Sequence, residues 1–360
     1  MTEPPADYGP LVREMLRRAA QERQPANGTF ELTSRCNLSC RMCYIRHAAG
    51  DRTRMANELP ASTWLELARQ AKDNGMVFLL LTGGEIFLRR DFFEIYEPLT
   101  RMGLILTLFS NGTLITKAIA ARLAQAPPSR TEITLYGATA ATYEAVTGVS
   151  GSYAACCAGI EALVSHRVPL ALKTTITRHN VHELEAMRQM AHNWGVPFSG
   201  AWMLSERPDG GRSEADNCRL PARESVALEA TDRASANEMM EAALRESPAE
   251  NAENFYCHAG KSAFVINPTG EMNACIMLPS PGARPLDIGF NAAWQEVQQY
   301  VDAAPPPSPT CLNCNVRVFC GRCPAWSLMD NGTLTEPVPY LCEVARARQE
   351  RYEESARHAD

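Results

Sequence analysis

Cys36, Cys40 and Cys43 stand in a CxxxCxxC spacing between Arg35 and Tyr44, with no fourth thiol nearby. A cubane iron–sulfur cluster is ordinarily held by protein thiolates at each of its irons. Three thiolates therefore leave one iron open, and an open iron can hold a reactant. Structural zinc asks for four closed ligands, a poor fit to a triplet. Disulfides are not expected, because thirteen thiols is an odd number. The start, Met1–Tyr8, also has neither the basic nor the apolar part of a secretory leader.

Two further patterns could do chemistry. In Thr82-Gly83-Gly84-Glu85 the paired glycines allow close backbone approach to a ligand, and Glu85 can accept hydrogen bonds from an ammonium group. Taken alone, the glycine pair is equally an ordinary strand-end turn. The second pattern is distal: Cys257, Cys275, then Cys311-x2-Cys314-x5-Cys320-x2-Cys323, and Cys342. By themselves the two CxxC pairs read as a zinc ribbon or knuckle.

These residues need elements to position them. Strand-like runs are expected at 29–33, 77–82, 104–109, 131–136, 170–177 and 198–204. Helical patterns lie near 60–73, 91–102, 116–126, 139–166 and 182–194, with Thr116 and Asn180 near starts and Gly75, Gly103 and Gly195 near ends. Such alternation predicts parallel βαβ units, either an open doubly wound sheet or a partial barrel. Both architectures collect ligands at the carboxyl ends of the strands, where the cysteine triplet and Gly83–Glu85 fall. A short amphipathic helix is expected at 8–23. Residues 205–220 read as a linker, 221–246 as helix, and 342–357 as a closing helix. The cysteine-rich stretch between them has little periodicity and many prolines (Pro305–Pro309), and is expected to be too irregular to bury a large core, with metal clusters as staples.

A net charge of −6 argues against nucleic acid or an anionic membrane as partner. No run of residues approaches a membrane span, and a cytoplasmic protein is expected. There, many cysteines point to metal or redox chemistry rather than disulfides.

The order CxxxCxxC, then Thr82–Glu85, then Ser110-Asn-Gly-Thr113 resembles the radical S-adenosylmethionine (radical SAM) superfamily. The resemblance implies an α/β fold, a partial (β/α)6 TIM-like barrel, with a [4Fe–4S] cluster at its mouth on Cys36, Cys40 and Cys43. Its open iron would chelate the methionine amino and carboxylate groups of S-adenosyl-L-methionine, and one electron would release a 5′-deoxyadenosyl radical that abstracts a substrate hydrogen. Gly83, Gly84 and Glu85 match the stretch that meets the methionine amino group. Thr134 falls where a ribose-contacting hydroxyl often sits, Ser110, Asn111 and Lys173 lie on neighbouring strand ends, and Met42 stands where an aromatic adenine neighbour is common.

The distal cysteines resemble the SPASM domain, a small extension carrying auxiliary iron–sulfur clusters. Expected limits are an N-terminal arm at 1–27, the barrel at 28–204, a bridge at 205–254, the auxiliary domain at 255–345 and a tail at 346–360. Order within that family gives Cys311, Cys314, Cys320 and Cys342 to one cluster, and Cys257, Cys275 and Cys323 to another. The second set is one ligand short, leaving an open iron, a smaller cluster, or His258 or Cys218 as fourth ligand.

The combination implies a peptide or protein substrate, as in ribosomal-peptide maturation by crosslinking or epimerisation. A one-electron reductant such as flavodoxin or ferredoxin is implied as well. An arm this short is not expected to hold a winged-helix domain, so a leader peptide would meet the barrel or a separate leader-peptide-binding protein. Sulfatase maturation would ask for an acidic residue after Cys275, where Ile276 stands. Small-molecule radical chemistry and a non-catalytic iron–sulfur or zinc protein are the alternatives. Cys156 and Cys157 read as buried small apolar residues, Trp202 and Met203 as core or substrate contacts, and Arg207 as a carboxylate partner or a surface residue.

Overall fold

The computed structural model describes residues 9–45, 47–211, 213–229, 231 and 253–357. Six parallel strands are laid down in chain order: β1 (Asn27–Thr33), β2 (Phe78–Gly83), β3 (Ile105–Ser110), β4 (Arg130–Thr134), β5 (Leu170–Thr175) and β6 (Phe198–Ala201). Each pairs with the next, and the spatial order equals the chain order. A doubly wound sheet reverses its order at a switch point, and this one does not. Successive right-handed crossovers in one direction put every helix on one face, which is the partial barrel rather than the open sheet.

Helix α1 (Gly9–Gln21) precedes the sheet. Helices α2 (Ala61–Asp73), α3 (Phe92–Thr100), α4 (Lys117–Gln125), α5 (Ala140–Thr147), α6 (Ser152–Ser165) and α7 (Leu184–Trp194) connect the strands. Strand residues alternate between faces. Leu79, Leu81, Leu106, Leu108, Ile133 and Leu172 are buried in one core with Trp64, Leu67, Ile95, Leu99, Leu123 and Ile160 of the helices. The opposite, concave face carries polar groups: Lys173 Nζ lies 3.2 Å from Glu132 Oε2 and over the ring of Phe109.

Two expectations differ from the structure. The single helix over 139–166 is broken, because Gly148 and Gly151 both take left-handed φ values, 70° and 78°, which glycine alone adopts readily. The cysteine-rich part also buries more than its composition suggests. Strands β7 (Ala263–Ile266), β8 (Met272–Cys275) and β9 (Leu278–Ala283) extend the barrel sheet, giving the order β9-β8-β7-β1-β2-β3-β4-β5-β6. β7 runs parallel to β1, matching Asn27 with Ala263 and Phe30 with Ile266.

After helix α8 (Ala222–Glu229), α9 (Phe290–Asp302) covers this extension. The rings of Phe290 and Trp294 pack on Phe264 at centroid distances of 5.2 and 6.2 Å, and Trp294 Nε1 donates to Arg23 O at 2.9 Å. These residues share the barrel's own core. Helices α10 (Pro324–Asn331) and α11 (Pro339–Arg357) complete the chain; the part of the expected helix beyond 231 lies outside the described residues up to 252. Among the described residues no helix is long and apolar enough to cross a membrane.

A shared core predicts shared melting. Trp294→Ala should cost about 3–5 kcal/mol and move one cooperative transition of the whole chain in differential scanning calorimetry. A separate low-temperature transition for the distal third would contradict it.

Candidate active site

The cysteine triplet lies on the loop leaving β1, and four anchors hold that loop. Its entry is held by a buried ion-pair network. Arg35 forms a bidentate pair with Glu58 at 2.7 and 3.0 Å and donates to Ala49 O. Arg89 lies 3.7 Å from the same carboxylate and donates to Leu32 O and Leu59 O, each at 2.9 Å. Thr33 Oγ1 also donates to Glu58.

Gly83 and Gly84 supply the second anchor. A Cβ on Gly83 would sit 2.2 Å from Thr33 O, and one on Gly84 2.2 Å from Arg35 O. The close approach these glycines allow is thus to the segment entering the cysteine loop, sealed by hydrogen bonds from Gly84 N to Thr33 O (2.7 Å) and Glu85 N to Arg35 O (2.9 Å).

The Glu85 carboxylate is the third. It is wholly buried, accepting from Phe87 N (3.1 Å), Ser110 Oγ (2.9 and 3.1 Å) and Asn111 N (2.7 Å). Burial raises its pKa and these donors oppose the rise. In this structure the Glu85 oxygens serve donors from within the fold, so the residue has a structural task beside the one expected of it. Ser110 and Asn111 belong to the same clasp. Asn111 Nδ2 donates to Asn37 Oδ1 (2.9 Å) and to Cys36 Sγ (3.5 Å), while its Oδ1 accepts from Thr113 N and Oγ1. Asn37 Nδ2 donates to Thr113 Oγ1 in turn.

The fourth anchor is the broken helix. The carbonyls ending α5 accept from the loop, Thr147 O from Ser39 N (2.8 Å) and Val146 O from Arg41 N (3.3 Å). Orphan carbonyls at a helix end are free to do this. Sequence reading missed Glu58, Asn37, Thr113 and α5; a break signal at Gly148–Gly151 was the available clue.

Met42 is buried in an apolar cluster with Leu38, Cys40, Leu204, Ala215 and Cys218. That placement also corrects Cys218 as a distal ligand, since it packs behind the triplet. Its thiol responds to Glu214 and Arg41 rather than to any other cysteine. Arg207 is largely buried and paired with Asp209, with its charge in reach of Cys43. Thr134 ends β4 opposite Lys173 of β5, and burial lowers Lys173 to about 8 against the pull of Glu132.

The thiols fall into three electrostatic groups. Cys40 responds to Cys43 and Cys36. Cys275 responds to Cys323 and Cys257, whereas Cys320 responds to Cys342, Cys311 and Cys314. This partition equals the one implied by cysteine order. Tyr256 lies between the two distal groups, in reach of Cys323, Cys320 and Cys257, with its hydroxyl donating to Arg322 O. His258 Nδ1 is instead 3.1 Å from Ser262 Oγ.

Burial pushes Cys36, Cys275 and Cys320 up to about 11 each, so these sulfurs hold protons until a metal displaces them. Local donors await the thiolates. Leu38 N and Met277 N each lie 3.4 Å from the cysteine sulfur two residues earlier, and Cys323 accepts from Trp326 and Ala325 at the start of α10. Among the described residues no three His, Cys, Asp or Glu groups could hold a single metal ion. A convergent, N–H-solvated thiol set suits a polynuclear cluster, whose thiolates each take a different iron.

Glu31 and Tyr44 stand between the groups. Tyr44 O–H donates to Glu31 Oε1 at 3.5 Å. Tyr44 is in electrostatic reach of both Cys43 and Cys275, and Glu31 of Cys275. Burial raises Glu31 to about 7.

Residues 30–191 match the model of the Radical SAM superfamily. An AdoMet-dependent heme synthase of Methanosarcina barkeri is 25% identical over 334 residues, covering 86% of this chain and 94% of its own. The mycofactocin maturase MftC of Mycobacterium ulcerans is 27% identical over 326 residues, 86% of each chain. Among solved structures, SuiB of Streptococcus suis superposes with a TM-score of 0.68 at 15% identity, covering 93% of this chain and 83% of SuiB; at that identity the likeness speaks for the fold. Residues 30–191 form a radical SAM domain, and the protein is an enzyme of that kind. The superfamily's cofactors are a [4Fe–4S] cluster and S-adenosylmethionine.

Two outcomes test the site. Glu85→Ala strands three buried donors and should cost about 3–5 kcal/mol, lowering both the melting temperature and the iron bound per chain; a residue serving only as an ammonium acceptor would weaken S-adenosylmethionine binding at unchanged stability. For Glu31, the folded carboxyl keeps a proton that the unfolded chain has released, between pH 4.5 and about 7. Its contribution to stability therefore falls as pH rises through that window and stays low above it. Glu31→Gln should be more stable than the parent at pH 8, by up to about 3 kcal/mol, and gain nothing at pH 4, read from urea midpoints.

Proposed function

We propose that this enzyme modifies a peptide, abstracting a hydrogen atom from it in the maturation of a ribosomally made product by crosslinking or epimerisation. The observation that carries the reading is the part-buried Glu31–Tyr44 pair between two cysteine groups, with Glu31 and Tyr44 in electrostatic reach of Cys275 and Tyr44 also of Cys43. When bound, the cluster on Cys36, Cys40 and Cys43 supplies the electron that cleaves S-adenosylmethionine. Cys311, Cys314, Cys320 and Cys342 would hold one auxiliary cluster, and Cys257, Cys275 and Cys323 a second. The second set offers no further protein thiol, which leaves a position for substrate.

The chain's own residues shape the rest. Gly83, Gly84 and Glu85 act by holding the cysteine loop at the strand ends. Thr134 and Lys173 remain at the concave face, the lysine as a cation for a substrate or cofactor carboxylate. Glu31 is an acceptor without a basic partner among the ion pairs of the described residues, suited to a donor group of the bound substrate. Exclusion of water by the fold keeps these groups strong.

Relatives support a peptide. MftC is named a maturase, a Bacillus subtilis relative 24% identical is named the subtilosin biosynthesis protein AlbA, and SuiB has been solved bound to its precursor peptide SuiA. A reductant such as flavodoxin or ferredoxin, and a separate leader-peptide-binding protein, complete the proposed set in a reducing cytoplasm. A second reading, small-molecule chemistry on a haem precursor, rests on the length-wide match to heme synthases.

Anaerobically reconstituted protein with dithionite and S-adenosylmethionine should form 5′-deoxyadenosine, and Cys40→Ala should form none. Co-expression with a short leader-bearing peptide encoded beside the gene should change that peptide's mass by loss of hydrogen in a crosslink, or introduce solvent deuterium at one residue in an epimerisation. An unmodified peptide, together with consumption of an added haem precursor, would transfer the assignment to the second reading.

A further inference from the structure

The nine-stranded sheet has two edges, β9 at one end and β6 at the other. An edge strand presents unpaired N–H and C=O groups on which another chain can build, and folded proteins ordinarily block it. β9 is blocked, because Pro279 and Pro281 stand within its six residues and proline has no N–H to donate. β6 carries neither proline nor charge in Phe198-Ser199-Gly200-Ala201, and its last three residues are exposed. On the β5 side, the carbonyls of Pro197 and Ala201 accept from Leu172 N (2.8 Å) and Ile176 N (2.7 Å). Backbone groups alternate in direction along a strand. The N–H and C=O of Phe198 and of Gly200 therefore point away from β5, and among the described residues these four groups have no partner.

The open edge leads to the cysteine loop. Ser199 pairs with Lys173 and Ala201 with Thr175, so both small side chains lie on the concave face. Past the strand, Trp202 is buried and its Nε1 donates to Glu229 at 3.1 Å. Met203 is 47% exposed. Leu204, the next residue, packs on the cluster of Leu38, Cys40 and Met42. Trp202 is thus a core residue, and Met203 is open to a substrate. We propose that β6 docks the peptide substrate by strand addition. An extended segment pairs with the outward groups of Phe198 and Gly200 as a tenth strand, sets an apolar side chain on Met203, and hands its continuation to the cysteine loop. A row of main-chain groups recognises another main chain and has nothing to offer a ring-shaped small molecule. The inference rests on the reading of the substrate as a peptide.

Residue-resolved hydrogen–deuterium exchange of the anaerobic holoenzyme tests it, with the leader-bearing peptide encoded beside the gene as probe. Adding the peptide should slow exchange at the Phe198 and Gly200 amides by about tenfold, the worth of one net hydrogen bond. The amides of Ser199 and Ala201, already turned to β5, should change little. Gly200→Pro removes one outward donor and should weaken peptide binding about tenfold, read by fluorescence anisotropy. Met203→Ala should weaken it about fivefold through lost apolar contact. Thermal melting establishes that each variant is folded; if Gly200→Pro is not, Met203→Ala and the exchange pattern of the parent decide. A peptide that is bound or modified while Phe198 and Gly200 exchange as before would overturn strand addition and leave the peptide reading standing. A peptide neither bound nor modified would overturn both.

Discussion

A carboxylate without solvent contact holds the catalytic end of this barrel together. Glu85 ends the loop after β2, and its two oxygens take donors from its own turn and from the end of β3. Burying an acid this deep is costly unless every oxygen is satisfied, and here three donors, Phe87 N, Ser110 Oγ and Asn111 N, serve the two oxygens. The glycines just before it have a matching reason: their hydrogens are all that fits against the carbonyls of Thr33 and Arg35. Together these contacts bring β1, β2 and β3 into one rim and suspend the cysteine loop from it.

Charge around that loop is arranged in layers. Next to the backbone lies the Arg35–Glu58–Arg89 network, nearly solvent-free, with two cations to one acid at its centre and Asp91 beyond Arg89. Such a network is a poor source of net stability, and its value here lies in fixing the angle at which the chain leaves β1. Nearer the sulfurs, neutral donors take over: amide N–H groups and the Asn111 side chain. Thiols that burial would keep protonated thereby gain an environment ready for thiolates once metal arrives.

The distal third repeats this logic in a less regular chain. Met277 N and the first turn of α10 face cysteine sulfurs, as Leu38 N does in the first loop. Its early part is no appendage, because β7 pairs with β1 and α9 covers the pair with aromatic rings. Proline-rich composition hid this: a four-residue strand such as Ala263–Ile266 carries too little periodicity to be told from a turn, and only pairing with β1 makes it a strand.

From its sequence alone this protein declared its cysteine grouping, its alternation of strand and helix, and the family to which both belong. Those features are local: a thiol spacing, a glycine pair and a run of apolar residues each act within a few residues of chain. Strand order, which separated barrel from open sheet, required neighbours in space. So did the clasp of Glu85 on Ser110 and Asn111 and the packing of Met42 on Leu38 and Leu204. Glu58 and the end of α5 were silent in the sequence because their partners are far along the chain. A hydrogen bond or ion pair across such a separation exists only after the sheet has closed, and for that reason the tertiary structure alone could decide it.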